Sequence, residues 1–400
     1  MQRTSTVLAC LLAFCLSAAA SDWPRFLGPA GAGFSDETGI NKDWANKKPA
    51  LLWKVALSDD GYAGPSVADG KVFIIDHKGA DDVVRAFDFA SGKQVWEFVY
   101  PDTDRKVHGF SRATPSFDNG KLYTYSRNGM LHCLNAADGA KIWVRNLMKD
   151  LQGKAPRWMM ACSPLIDGDR VLVSAGGANA TIVALNKATG EIIFNAGNGD
   201  EIGYTSIAPA SVVAGKKVYL VYTGEHLLGC DPANGKILWS APWVNNRKIN
   251  AAMPVITGDD TVFITSNYGI GSALVKVADG KAEIAWKNRD LHARFNTPLL
   301  YKGRIYGIGE GFMACINPAD GKTAWKQGGF ESGGLVGIED VALAFDGKGG
   351  DLVMVKLTPN ACTELGRFKP LGGQSWTAPI IAHGKLIVRN RTEMACFELK

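Results

Sequence analysis

A chain of 400 residues, 46% hydrophobic and 21% charged, is too rich in apolar side chains to be disordered and long enough to bury a large core. Its formal charge of +5 is small for that length, and no long run of Lys or Arg occurs, so nucleic acid is not expected as a partner. Beyond residue 20 there is no apolar stretch approaching the ~20 residues that a bilayer requires, so no membrane-spanning segment is expected.

The first twenty residues combine a basic start (Arg3), an apolar run from Val7 to Leu16 and a small-residue end, Ala18-Ala19-Ala20. That combination predicts a secretory signal peptide over 1–20, cleaved near Ala20, and a periplasmic or secreted mature protein. Residues 21–50, which open with DWPRFLGP, carry no repeat and read as an extended strap. From residue 51 to 400 two units alternate. The first opens on Pro and turns on Gly: PSVADGKVFII at 65–75, PSFDNGKLYTY at 115–125, PLIDGDRVLVS at 164–174, PASVVAGKKVYLV at 209–221, PVITGDDTVFIT at 254–265, PLLYKGRIYGI at 298–308 and PIIAHGKLIVR at 379–389. Pro suits the start of a short strand, and Gly the positive φ of a tight hairpin. The second unit ends on Trp: AFDFASGKQVW at 86–96, CLNAADGAKIW at 133–143, GCDPANGKILW at 229–239 and CINPADGKTAW at 315–325, with Phe ending ALNKATGEIIF at 184–194.

Four short antiparallel strands every 40–50 residues predict propeller blades. The aromatic slot falls at Trp53, Trp96, Trp143, Phe194, Trp239, Trp286 and Trp325, each Trp expected to dock on the adjacent blade; the segment before Trp286, KVADGKAEIAW, reads as the same rule with a slightly longer turn. VALAFDGKGGDLVMVKL at 341–357 and TELGRF at 363–368 supply one degenerate blade. The last repeat, from Pro379, lacks its Trp strand, and LLWKV at 51–55 is a Trp strand without a blade. Joining them closes an all-β, eight-bladed β-propeller of four-stranded antiparallel blades, with the N-terminal strand completing the C-terminal blade. Cys133, Cys315 and Cys396 fill the slot that Ala86 and Ala184 occupy, so they read as small buried residues rather than disulfide partners.

The Trp-ended repeats resemble those of the PQQ-type (pyrroloquinoline quinone) eight-bladed propellers, with their recurring A-x-D-x-x-T-G-K-x-x-W segment. DWPRFLGP and FKPLGGQSWTAP at 368–379 resemble segments of secreted bacterial PQQ-like repeat proteins. The resemblance covers 51–400. It implies a family holding both quinoprotein dehydrogenases and non-catalytic envelope scaffolds such as BamB, so fold alone does not assign function.

Strand order places the loops before each Pro, and the hairpins between second and third strands, at one end of the ring. The Gly turns lie at the other. The irregular, charged and aromatic residues concentrate on the first face, where Arg112, Arg127, Arg157, Trp158, His226, Tyr268, Arg294, Glu310 and Trp376 are the binding candidates. A quinoprotein would add a calcium site of carboxylate and amide oxygens, and the alcohol-type enzymes an adjacent cysteine pair that this chain lacks. No G-x-S-x-G or H-E-x-x-H motif occurs; Asp102-Thr103-Asp104 has calcium chemistry without diagnostic spacing. The expectation is therefore a monomeric, non-catalytic binding or scaffold module without metal or cofactor, engaging an envelope protein or polymer through the loop face. The alternative is a PQQ- and Ca-dependent quinoprotein dehydrogenase.

Overall fold

A computed structural model describes residues 21–58, 60–104 and 108–400, and these form eight antiparallel blades of four strands, one of them extended by a short fifth strand that pairs in parallel. The expected signal peptide lies outside the described residues. Blades 1 to 6 span Ser66–Pro101, Ser116–Asn146, Leu165–Ala196, Ser211–Pro242, Val255–Asn288 and Leu299–Phe330. Blade 7 spans Ser332–Phe368, and blade 8 joins Ile380–Glu398 to Leu51–Ala56. The second strands, such as Val72–Ile75 and Val171–Val173, are fully buried because each blade is covered by a neighbour on both faces. In blade 8, Leu51–Ala56 pairs antiparallel with Glu393–Glu398, setting Trp53 opposite Cys396. Chain ends from opposite termini thus share one sheet, and the ring closes without an open junction. The six cysteines beyond the first twenty residues are free thiols, five of them buried.

The aromatic slot holds blade to blade by a repeated contact. The indole nitrogens of Trp53, Trp96, Trp143, Trp286 and Trp325 donate to the carbonyls of Phe89, Ala136, Lys187, Pro318 and Thr358 in the following blade, at 2.8–3.1 Å. Each of the first four rings also lies on the Gly of that blade's outer turn. Gly139 has φ 77°, and a Cβ there would come within 2.6 Å of Trp96, so both conformation and space require glycine. Where Phe194 replaces Trp, Arg170 supplies the missing donor, reaching the Pro232 carbonyl at 2.5 Å with its guanidinium 5.8 Å from the Phe194 ring centre.

Trp239 departs from the expectation. The outer turn of blade 5 is a two-residue hairpin, Asp279-Gly280, with both φ values positive, shorter than the other turns rather than longer. No carbonyl is presented, the Trp239 indole N–H has no partner, and its ring folds over Gly229 of its own blade.

Blade 7 lacks the Pro-led strand, and Ser332–Ile338 takes its place. Its channel edge pairs in parallel with Phe34–Ser35, where Gly337 leaves room for the Phe34 ring. Residues 22–37 enter from the turn face, where Asp22 meets His383 at 2.7 Å. They cross the channel along the inner strands. Trp23 exchanges two backbone hydrogen bonds with Val67, Pro24 accepts from Phe117, and Gly33 accepts from Gly337. The segment leaves at the same face, where Glu37 accepts from the Gly384 amide at 2.6 Å. Inner strands with otherwise unpaired channel edges are the reason this segment binds there. Trp44, fully buried against Phe368, then carries the chain out to its rim strand.

Candidate functional site

The prolines that open seven inner strands set the geometry of the channel. The residue three before each one is Tyr62, Arg112, Ala161, Ser206, Ala251, Phe295 or Trp376, and all seven line one axial cavity of about 390 Å³. The side chains are large on blades 8, 1, 2 and 6 and small on blades 3 to 5. Trp158, Tyr204 and Ile249, from slightly earlier loop positions, and Tyr268, from the hairpin between the second and third strands of blade 5, fill the space the small residues leave. Hydroxyls stitch the wall from blade to blade: Ser163 Oγ accepts from Thr114 N, Ser206 Oγ from Ser163 N, and Thr297 Oγ1 from Met253 N, at 2.9–3.1 Å. Trp23, Phe26, Leu27 and Gly33 of the N-terminal segment close the turn side, so the cavity opens only toward the loop face.

Aromatic rings build the mouth. Tyr62 stacks on Trp376 (5.1 Å, 22°), Phe295 tilts against the same indole at 5.0 Å, and opposite them Trp158 packs on Tyr204 and edge-on to His108. Buried Arg389 donates to the Gly61 and Ala63 carbonyls, holding the loop that carries Tyr62. Arg112 donates to the carbonyls of Trp158 and His108. Burial pulls its guanidinium down to about 10, which leaves it charged at neutral pH. Arg294 pairs with Glu310 at the rim, but its Nε is buried without a partner, as are both amide atoms of neighbouring Asn296. The two arginines are the lining's formal charges; no Asp or Glu lines the cavity among the described residues.

Of the nine residues singled out from sequence, Arg112, Trp158, Tyr268, Arg294 and Trp376 converge on this cavity, with Glu310 behind Arg294. Arg157 is exposed next to Trp158 but outside the lining. His226 sits off the axis, its Nδ1 2.9 Å from Asp200 Oδ2. Arg127 is corrected outright: it is buried and binds Asp102 through two nitrogens at 2.6 and 3.0 Å. Tyr62, Tyr204 and Phe295 were not among the binding candidates, although the spacing to each proline marks Tyr62 and Phe295.

Arg127 belongs to a charge network between blades 1 and 2. His77 Nδ1 lies 3.1 Å from Asp82 Oδ1 and 3.7 Å from Asp102 Oδ2. Asp82 also accepts from Ser111 and Tyr100, and the His77 ring stacks on Phe110 at 3.5 Å. This trio is the one cluster with metal-ligating chemistry among the described residues, yet Arg127 already satisfies Asp102, so the group reads as a structural lock. A quinone held with a divalent cation needs converging oxygen donors, and the cavity wall offers the Asn296 amide without a carboxylate. The residues present do not fit that pair.

A family model described as outer membrane protein assembly factor BamB matches residues 44–114 and 80–327. The BamB protein of Yersinia pestis is 25% identical over 342 residues, covering 78% of this chain and 79% of that protein. A quinoprotein ethanol dehydrogenase of Pseudomonas aeruginosa is 28% identical over 184 residues, but these cover only 28% of its length. Among solved structures, a europium-containing methanol dehydrogenase superposes with a TM-score of 0.72 at 12% identity, covering 94% of this chain and 98% of that one, a likeness of fold.

Proposed function

The chain belongs to the family of outer membrane protein assembly factor BamB, a PQQ-like propeller family, and on that premise we propose that it is an exported, non-catalytic binding module of the cell envelope. Its loop face, centred on the channel mouth, is the engaged surface. The cavity lining carries this reading: aromatic rings and two arginines surround a pocket that, among the described residues, has no carboxylate to act as general base or to hold a cation. Tyr, Trp and Arg are the side chains that dominate interaction energy at buried centres. A rigid ring, with hydroxyl-stitched inner strands and a plugged floor, holds them at fixed spacing.

Photo-crosslinking amino acids at Arg157 and Trp158, with Asn119 and Lys302 on the turn face as controls, test the reading in intact cells. The expected result is capture of one defined envelope partner from the mouth positions alone. Equal capture from both faces, or none from the mouth, rejects it.

A further inference from the structure

We propose that the blind cavity binds an anionic amphiphile: a single apolar tail directed at the N-terminal plug and one acidic head among Arg112, Arg294 and Asn296. The inference rests on reading the mouth as a binding face and adds the ligand class. Three observations carry it. First, the cavity runs along the ring axis and its closed end is apolar, formed by Trp23, Phe26 and Leu27. Its volume of about 390 Å³ lies in the small-molecule range. Secondly, the charged residues of the lining among those described are both arginines and Glu310 offsets only Arg294, so the potential at the mouth favours a negative group. Thirdly, Arg294 Nε and Asn296 Nδ2 are two buried donors on one loop with no acceptor in the protein. Both residues line the cavity while these two atoms are closed off from it, so an acidic head gains them as donors as the side chains turn inward, and such a head accepts several hydrogen bonds. A neutral tail alone would leave these donors unmatched, and a head alone would leave the apolar floor in water.

The test uses the secreted chain and calorimetric titration with octanoate, decanoate and dodecanoate below their micelle concentrations, with decanol as the neutral counterpart. Each methylene removed from water strengthens binding roughly fourfold, so decanoate should bind about tenfold or more tighter than octanoate. Decanol should bind at least about tenfold more weakly than decanoate, consistent with a lost charge-assisted contact. Arg294→Gln should remove that preference without weakening decanol. Leu27→Trp, which fills the floor, should weaken both. Should Leu27→Trp fail to fold, the partly exposed Arg294→Gln variant keeps the measurement readable. Dodecyl phosphate against dodecanoate identifies the head: saturable binding of either supports the class. Equal affinity for decanol and decanoate, no dependence on tail length, or no saturable binding overturns the proposal. If these fail while the mouth positions still crosslink their partner, the ligand class falls and the binding-face reading stands.

Discussion

The junction between blades 1 and 2 and the channel mouth draw on the same vocabulary of arginine, histidine and aromatic rings, yet they handle polar atoms in opposite ways. At the junction, Asp102 accepts from Arg127 and from Asn128, and Asp82 accepts from Ser111 and Tyr100 beside His77. At the mouth, Arg294 Nε and both amide atoms of Asn296 are buried with no partner. The junction carboxylates are each bonded several times and tie blades together, although Asn128 Oδ1 and His132 Nδ1 beside them have no partner, whereas unpartnered groups on residues that line a cavity are suited to binding something else. Composition does not separate the two; what does is that the mouth's unpartnered atoms belong to residues of a cavity wall, whereas the junction's lie in packed protein.

The strongest way to break this contrast is to unlock the junction. Arg127→Met leaves Asp102 buried without its guanidinium, which typically costs ~3–5 kcal/mol. Melting should fall by several degrees, and a melting curve matching wild type would show that the network is not a lock.

The two histidines of the same region sharpen the contrast by titrating in opposite senses. Burial alone would lower His77, but its bonds to Asp82 and the Gly79 carbonyl, with Asp102 nearby, outweigh burial and raise it. Its stabilising contribution is therefore complete below the ordinary value near 6.5 and is lost as pH rises through the higher folded value. His132, packed 4.4 Å from the Tyr100 ring with no partner at Nδ1, is pushed down to about 4 by burial and by Lys141. The unfolded chain then takes up a proton that the folded chain refuses, so stability drops as pH falls from 6.5 toward 4. The loss is roughly 3 kcal/mol in all. Denaturant midpoints of His132→Phe should be flatter than wild type across that window, whereas parallel curves would assign the acid sensitivity elsewhere.

A smaller test separates Trp96, whose indole is bonded, from Trp239, whose indole is not. Trp96→Phe should cost ~1 kcal/mol more than Trp239→Phe, the net worth of one hydrogen bond. Equal denaturation midpoints would mean that docking is packing alone. The pair also shows what was legible in the sequence. Ring closure and blade number follow from a repeat in which each unit restates the same local chemistry. The exception at Trp239 depends on the turn of the next blade, and its signal was Gly229, where the other repeats with an aromatic slot carry Ala, Cys or, in blade 5, Leu. Arg127 was misread for a related reason. Its partner, Asp102, sits 25 residues away, and no local pattern distinguishes a saturated arginine from an open one. The channel plug was harder still. Trp23, Phe26 and Leu27 show an apolar cluster, but only the unpaired inner strands explain why it turns inward.

The smallest expected effect on stability belongs to the mouth, and it bears directly on function. Arg294 and Glu310 are each about one-third exposed, at 34% and 37% of their side-chain surface, so water already screens their pairing. Such pairs contribute ~0–1 kcal/mol, and Arg294→Ala should shift the melting temperature by little more than a degree. Removing it also relieves a buried, unpartnered Nε, which offsets part of any loss. Partner crosslinking through Trp158 should nevertheless weaken clearly in this variant. A drop in melting as large as that of Arg127→Met would make Arg294 another blade lock. The distinction between saturated and open polar groups would then fail at the place where it assigns a function.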